Sequence, residues 1–173
     1  MKPFLTLAII LGALITIMTD KQASASTATL ILDTTKGQIE IELKPDLAPN
    51  HVARISELAE EGYYDGIIFH RVIGGFMAQT GDPTGTGMGG SGQKLEAEFT
   101  DYQYREGTVG MARTMDPNSA DSQFFICFEG CGHLTGQYTV WGQVTSGMEA
   151  VYALNEGQPP AEPDSIKTAR LAK

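Results

Sequence analysis

The feature that most constrains the fold of this chain is a series of short apolar runs that are separated by glycine-rich turns. The segment from Ala28 to Leu43 shows the two-residue period of a strand on either side of Lys36-Gly37, and this pattern predicts a β-hairpin. Its core-facing side chains would be those of Leu30, Leu32, Ile39, Ile41 and Leu43. Further short strands are predicted at residues 67–73, 76–80, 108–112, 122–128 and 139–144.

Only two segments have the period of a helix. The first would begin near Pro49, which suits a first helical turn, and end before Gly62. Its buried stripe would consist of Val52, Ile55 and Ala59. A shorter helix is predicted at residues 147–155. Because strands do not alternate with helices, a parallel α/β sheet is excluded, and the chain is predicted to be a mainly all-β sandwich or barrel whose open ends the helices cover.

The first residues have the pattern of a secretory signal peptide. Lys2 precedes an apolar run from Phe4 to Met18, and Ala23-Ser24-Ala25 forms a small-x-small cleavage site. A membrane-spanning helix needs about 20 apolar residues, so this run is short for an uncleaved anchor. We therefore expect residues 1–25 to be removed and residues 26–173 to form one domain. The mature protein is expected in the bacterial periplasm or outside the cell, without stable insertion in the membrane, and the periplasm is the location we predict.

Charge and histidine spacing argue against two classes of function. The formal net charge is −9, and so acidic a surface would repel nucleic acid and anionic membranes. His51, His70 and His133 are scattered and lack the spacing of metal ligands, so no metal site is predicted. We expect His51 to be exposed near a helix start, and His70 to be hydrogen-bonded on the strand face opposite Arg71.

The sequence GTGMGG at residues 85–90 matches the glycine pattern of dinucleotide-binding loops but lacks their setting. That pattern must leave a strand and open a helix. Here Asp82-Pro83 precedes the glycines and Ser91-Gly92 follows them, which indicates loop on both sides. The segment is therefore interpreted as a compact surface loop that shapes a groove, and no cofactor is predicted.

Two cysteines, Cys127 and Cys131, leave two interpretations open. In an oxidising compartment they would form a disulfide if a tight turn brings their Cα atoms within about 7 Å. Alternatively, an inward-facing Cys127 would simply be a small buried hydrophobic residue.

The candidate site starts from an arginine inside an apolar run. An unpaired guanidinium in apolar surroundings is costly, so Arg71 either reaches water or is kept for a ligand. Strand alternation places Met77 and Gln79 on one face, and it does the same for Gln123 and Phe125. Periodicity alone would assign the aromatic residues to the core.

Four segments resemble, in order and spacing, the signature segments of the cyclophilin family of peptidyl-prolyl cis–trans isomerases. They are FHRVIGGFMAQTGDPTGTGMGGSG, GTVGMAR, DPNSADSQFFICF and HLTGQYTVWGQV. The resemblance extends from about Ala28 to the C-terminal end and is closest to compact bacterial members. It implies a closed eight-stranded antiparallel β-barrel capped by two α-helices, with the binding groove on the outside of the barrel.

The resemblance also assigns roles to individual residues. Arg71 matches the catalytic arginine of the family, and Gln79 matches a polar groove residue that would orient it. The residues that match the proline pocket and the peptide groove are Phe76, Met77, Ala112, Arg113, Gln123, Phe125, His133, Leu134 and Tyr138. His133 stands where the best-known eukaryotic members have tryptophan, and Tyr138 where they have histidine, so weak binding of cyclosporin is expected.

The function implied is acceleration of X-Pro isomerisation in exported polypeptides, which assists their folding. No bond is broken in this reaction, so neither a nucleophile nor a metal is required. The expected partners are proline-containing peptides and unfolded or folding exported proteins, bound by a monomer without a cofactor. A proline-peptide-binding chaperone module with little catalysis is the alternative.

Overall fold

The computed structural model describes residues 28–172, and the predicted signal peptide lies outside them. Within this range the chain forms eight β-strands, two α-helices and one short 3-10 turn. The strands are β1 (Thr29–Thr34), β2 (Gly37–Leu43), β3 (Arg71–Ile73), β4 (Met77–Thr80), β5 (Thr108–Met111), β6 (Phe124–Cys127), β7 (Val140–Ser146) and β8 (Ile166–Leu171). The helices are α1 (Pro49–Glu60) and α2 (Met148–Tyr152), and the 3-10 turn covers Gly132–Leu134.

All eight strands belong to one antiparallel sheet in the order β3-β4-β6-β5-β7-β2-β1-β8. The mainly all-β class, with eight strands and two helices, is therefore confirmed, but the prediction of a closed barrel is wrong. The sheet is an open half-barrel because β3 has only three residues and does not pair with β8. The segment before β3 approaches the start of β8, where a bridge joins Ile68 to Ser165 and backbone hydrogen bonds join Gly66 and Ile67 to Ile166.

The predicted hairpin is confirmed. Leu30 pairs with Ile41 across β1 and β2, and Leu32 pairs with Ile39. These four side chains are buried, as the two-residue period predicts, and they form part of the main apolar core.

Strand β8 did not give a period-two signal in the sequence. Its buried residues, Ile166 and Ala169, are three positions apart instead of two. The register between β1 and β8 shifts between Asp33 and Thr34, which is the signature of a β-bulge or similar irregularity. Simple alternation therefore fails in this pair, and only the family resemblance implied an eighth strand.

Helix α1 agrees with its predicted bounds, whereas α2 is shorter than the range 147–155. His51 lies in the first turn of α1, and the expectation that it is exposed is wrong, because its side chain is fully buried. The Glu98 carboxylate explains this placement. It accepts hydrogen bonds from the backbone N–H groups of Asn50 and His51 and contacts His51 Nδ1 at 2.6 Å, so it covers the start of the helix. No helix of the described range is long and apolar enough to cross a membrane.

Strand β6 separates two apolar clusters and so positions the candidate site. Phe124 and Ile126 face the main core, while Phe125 and Cys127 face a second cluster on the outer side of the sheet. The predicted alternation along this strand is thus confirmed. The buried members of the second cluster are Met77, Tyr104, Phe125, Cys127, Cys131, Leu134 and Val140.

Candidate active site

A cavity of about 120 Å³ opens on the outer face of the sheet, above the second apolar cluster. Its lining residues are Arg71, Phe76, Met77, Gln79, Ala112, Arg113, Phe125, Leu134 and Tyr138. All nine were predicted site residues. A neighbouring cavity of about 130 Å³ shares Gln79, Ala112 and Arg113 with the first and is also lined by Gln123. His133 lies outside both cavities, and its ring stacks on that of Phe76 at a centroid distance of 5.4 Å.

Three adjacent strands place the central residues in one row. Arg71 of β3 is the register partner of Gln79 in β4, and Gln79 is the register partner of Phe125 in β6. The β3–β4 turn has Gly75 in the left-handed conformation at φ 72°, which suits glycine. This turn returns the chain so that Phe76 stands beside the cavity.

The guanidinium of Arg71 is held by amide groups. Its Nη1 donates to Gln79 Oε1 at 3.4 Å, and its Nε donates to Gln158 Oε1 at 3.0 Å. None of the salt bridges within residues 28–172 involves Arg71. Gln158 was not among the predicted site residues. It stands 87 positions from Arg71 in a loop without a periodic pattern, so the sequence offered no signal for it.

A chain of hydrogen bonds continues from Gln79 away from the arginine. Gln79 Nε2 donates to Gln123 Oε1 at 2.9 Å, and Gln123 Nε2 donates to the carbonyl oxygens of Gly87 at 3.1 Å and Gly89 at 2.8 Å. Each side-chain amide therefore presents its oxygen toward Arg71 and its nitrogen away from it. These glycines belong to the GTGMGG segment, which is a loop that borders the neighbouring cavity, as predicted.

Aromatic contacts form the apolar wall of the cavity. The rings of Phe125 and Tyr138 meet edge to face at 5.8 Å, and the Arg113 guanidinium lies 4.5 Å from the centroid of Tyr138. The Ala112 N–H already donates to the carbonyl of Gln123 at 2.9 Å. The backbone group that Ala112 can offer a bound peptide is therefore its carbonyl.

Cys127 and Cys131 form a disulfide, with their Cα atoms 6.0 Å apart. Of the two interpretations that the sequence left open, the bridge is confirmed, and both residues are also fully buried. The bridge ties the end of β6 to the residue before the 3-10 turn, which carries His133 and Leu134.

His70 lies on the face away from the cavity, where it is nearly completely buried. Neither ring nitrogen has a hydrogen-bond partner among the described residues, so the predicted hydrogen bond is not made to any protein group in this range. Gly87 packs against the ring, since a Cβ at that position would lie 3.6 Å from His70 Cδ2. Burial lowers the pKa of His70, although the Asp82 carboxylate opposes this shift. Residues 28–172 contain no cluster of acidic, histidine or cysteine side chains that would hold a metal ion.

Comparison with known proteins shows which family the chain belongs to. Residues 29–171 match the family model described as "Cyclophilin type peptidyl-prolyl cis-trans isomerase/CLD". The chain belongs to the cyclophilin-type peptidyl-prolyl cis–trans isomerase family. Its enzyme class is that of the family, so the predicted peptidyl-prolyl isomerase class is confirmed.

Three relatives illustrate how similar the family members are to this chain. It is 50% identical over 151 residues to a probable peptidyl-prolyl cis-trans isomerase of Brucella suis, an alignment that covers 80% of this chain and 76% of the relative. It is 46% identical over 122 residues to peptidyl-prolyl cis-trans isomerase B of Bacillus subtilis, with 69% and 85% covered. A cyclophilin of Cryptosporidium parvum, whose structure was solved in the presence of the dipeptide Ala-Pro, superimposes with a TM-score of 0.78 at 31% identity, with 84% and 99% covered.

Proposed function

We propose that this protein accelerates cis–trans isomerisation of X-Pro bonds in exported polypeptides and thereby assists their folding in the periplasm. Arg71 would be the catalytic residue, and the apolar cavity would receive the proline ring. The observation that carries the proposal is an arginine that contacts only uncharged groups within the described range and lines a cavity of about 120 Å³. The signal-peptide pattern at residues 1–25 supports export.

To accelerate X-Pro isomerisation, an enzyme must stabilise the twisted conformation of the amide. Without a catalyst an X-Pro bond isomerises in roughly 10–100 s, because amide resonance imposes a barrier of about 20 kcal/mol. In the twisted amide the nitrogen regains a lone pair, and a hydrogen-bond donor near that nitrogen lowers the energy of the twisted state. Arg71 can supply this donor, since its Nε and Nη1 are engaged by Gln158 and Gln79 while Nη2 has no such contact among the described residues.

One hydrogen bond does not account for the whole catalytic effect. A typical enzyme turnover of about 10–10³ s⁻¹ would correspond to a barrier lowered by about 3–7 kcal/mol. A hydrogen bond from a charged donor contributes about 1.5–3 kcal/mol. The remainder would come from apolar contacts that hold the proline ring on Phe76, Met77, Phe125 and Leu134, and from removal of the amide from water.

Binding of proline peptides is the part of the proposal that the relatives support most directly. The Cryptosporidium parvum cyclophilin was crystallised in the presence of Ala-Pro, and its TM-score of 0.78 indicates the same fold as this chain. We infer that Ala112 and Arg113, which line both cavities, lie beside the backbone of an extended peptide.

A protease-coupled isomerisation assay on residues 26–173 tests the function. The cis form of an Ala-Pro peptide should relax to trans faster in proportion to the enzyme concentration. A parallel binding titration with an uncleavable proline peptide distinguishes the alternative. A chaperone module with little catalysis would bind this peptide and leave the relaxation rate unchanged, and that result would refute the proposal.

A further inference from the structure

A buried carboxylate stands at the far end of the hydrogen-bonded chain that begins at Arg71. Asp82 follows β4 by two residues, and it is only 1% exposed. A carboxylate is rarely buried unless its oxygens are hydrogen-bonded or paired with a charge. Among the described residues Asp82 has no ionic partner, so its contacts must explain its place.

Both oxygens of Asp82 accept hydrogen bonds from the loop that follows it. Oδ1 accepts from the backbone N–H of Thr84 at 2.7 Å and from its hydroxyl at 2.8 Å. Oδ2 accepts from the backbone N–H groups of Gly87 at 2.6 Å and Gly89 at 3.1 Å. Burial opposes ionisation and is the largest single influence on this carboxyl, but the four hydrogen bonds together outweigh it and lower the pKa of Asp82 to about 2. The group is therefore charged at neutral pH.

The two glycines that donate to Asp82 are the same two whose carbonyls accept from Gln123. Asp82 thus holds the backbone that sets the direction of the Gln123 side chain. The backbone of Gly89 lies so close to the Asp82 carboxylate that no side chain fits between them, since a Cβ at that position would lie 2.1 Å from Asp82 Oδ1.

The direction matters because a glutamine amide has a donor at one end and an acceptor at the other. Arg71 only donates and the glycine carbonyls only accept, so a single orientation of Gln79 and Gln123 satisfies every contact between them. If the carbonyls moved, Gln123 could turn its amide. Gln79 would then lose its acceptor, and its own oxygen would no longer be directed to Arg71.

We propose that Asp82 is a positioning residue of the isomerase reaction, which holds Gly87 and Gly89 so that Gln123 and Gln79 orient the guanidinium of Arg71. The inference rests on the catalytic role proposed for Arg71. It predicts that loss of the Asp82 carboxylate lowers the rate of the chemical step more than it weakens peptide binding.

Asp82→Asn is the direct test. The asparagine side chain has the same size, but its NH₂ group replaces one of the two carboxylate oxygens and cannot accept, so at least two of the four donors lose their acceptor. With a short Ala-Pro substrate, kcat should fall by about threefold to tenfold while KM changes by less than about twofold. In the Arg71→Ala background the same substitution should change kcat by less than about twofold, since the residue through which it acts is gone.

An aspartate outside the site provides the control. Asp65 Oδ1 accepts a hydrogen bond from the backbone N–H of Ala169 in β8 at 2.9 Å, and Asp65 lines neither cavity of the site. Asp65→Asn should leave kcat and KM at the parent values. The nitrogen-15 NMR signal of the Arg71 Nε–Hε group should shift in Asp82→Asn and stay in place in Asp65→Asn. If Asp82→Asn does not fold, Thr84→Val, which removes one donor to Asp82, should give a smaller loss of kcat that also disappears in the Arg71→Ala background.

The outcomes separate the two claims. Parent activity in Arg71→Ala would overturn the role of Arg71 and with it that of Asp82. An impaired Arg71→Ala variant together with an unaffected Asp82→Asn variant would overturn the role of Asp82 alone. An equal loss from Asp82→Asn in both backgrounds would do the same, because it would mean that Asp82 acts without Arg71.

Discussion

Arg71 and Gln79 lie opposite each other in the β3–β4 hairpin, and their side chains are joined by a hydrogen bond of 3.4 Å. The hairpin register determines this pairing. The bond is long for a charged donor, and hydrogen bonds of catalytic groups often shorten only when the substrate is bound. The pair therefore holds the guanidinium beside the cavity, and in the proposed mechanism the long bond leaves it free to adjust to a twisted amide.

Substitution of Arg71 by alanine should lower kcat/KM by about tenfold or more, since a hydrogen bond from a charged donor contributes about 1.5–3 kcal/mol. Thermal unfolding should be nearly unchanged, because no buried carboxylate loses its partner. The protease-coupled assay and a melting curve on the same protein measure both effects. If Arg71→Ala melts normally and keeps the parent kcat/KM, the mechanism is wrong.

Arg71→Lys should also be impaired, because a single ammonium group cannot contact Gln158 and Gln79 and still donate to the substrate as a planar guanidinium can. Arg170→Ala, an exposed position on β8, serves as the control and should keep parent activity. Full activity in Arg71→Lys would mean that charge alone is sufficient at this position.

Cyclosporin should bind weakly, and His133→Trp should tighten binding by several-fold or more. By the family resemblance, the best-known eukaryotic members have a tryptophan at this position, whose indole donates a hydrogen bond to cyclosporin and packs on it. The exposed imidazole of His133 offers a smaller contact area and a different hydrogen-bond geometry. Calorimetric titration measures both affinities. Tyr152→Trp adds an indole elsewhere and should not change the affinity, and tight binding by the parent protein would contradict this explanation.

Reduction of the Cys127–Cys131 disulfide should destabilise the fold. A bridge across so short a loop contributes about 2 kcal/mol by restricting the unfolded chain. For a domain of this size that loss lowers Tm by about 4–8 °C. Melting curves with and without a phosphine reductant measure the shift. Cys131→Ser should melt at the lower temperature under both conditions, and an equal Tm for the oxidised and reduced parent would contradict the prediction.

Acidification should destabilise the protein in part through His51. Burial lowers the pKa of His51, and the contact with Glu98 only partly opposes this shift. The unfolded chain therefore binds the proton first, so the free energy of unfolding is highest above the ordinary imidazole pKa of 6.5 and falls as the pH drops below it. Each such proton adds a slope of up to about 1.4 kcal/mol per pH unit.

Urea unfolding at several pH values between 7 and 5 measures this slope. His51→Asn keeps a nitrogen donor near Glu98 but does not titrate, so its stability should fall less steeply with acidification. A remaining slope is expected from His70, whose pKa burial also lowers. Identical slopes in the parent and in His51→Asn would show that His51 does not contribute.

The mature form should begin at Ser26 and be recovered from the periplasm. The apolar run from Phe4 to Met18 is short for a span, and the Ala23-Ser24-Ala25 site suits signal peptidase. N-terminal sequencing of the periplasmic fraction identifies the first residue. Ala25→Phe should block cleavage at that site, and full-length parent protein held in the membrane would contradict the prediction.

Local patterns determined much of the strand content and the faces of the strands. The alternation in β6 correctly separated Phe125 from Phe124, because a strand places successive side chains on opposite sides. The same rule failed for β8, where a register shift against β1 puts Ile166 and Ala169 three residues apart on the buried side. Where the register shifts, the sequence of one strand does not show which of its side chains are buried.

Contacts between distant segments were decided only by the tertiary structure. Glu98 buries His51 although the two are 47 positions apart, and Gln158 reaches Arg71 from a loop with no pattern of its own. Closure of the sheet depends likewise on whether β3 and β8 meet, and a three-residue β3 leaves the barrel open.

For the candidate site, the sequence by itself predicted several residues but not Gln158 or Asp82, and the fold decided how all of them contact one another. Arg71, Gln79 and Gln123 were recognisable because strand period and family motifs are local properties of the chain. The direction of their hydrogen bonds depends on the carbonyls of Gly87 and Gly89, which Asp82 holds in place. That order is a property of three-dimensional donor and acceptor geometry, which no spacing along the chain encodes.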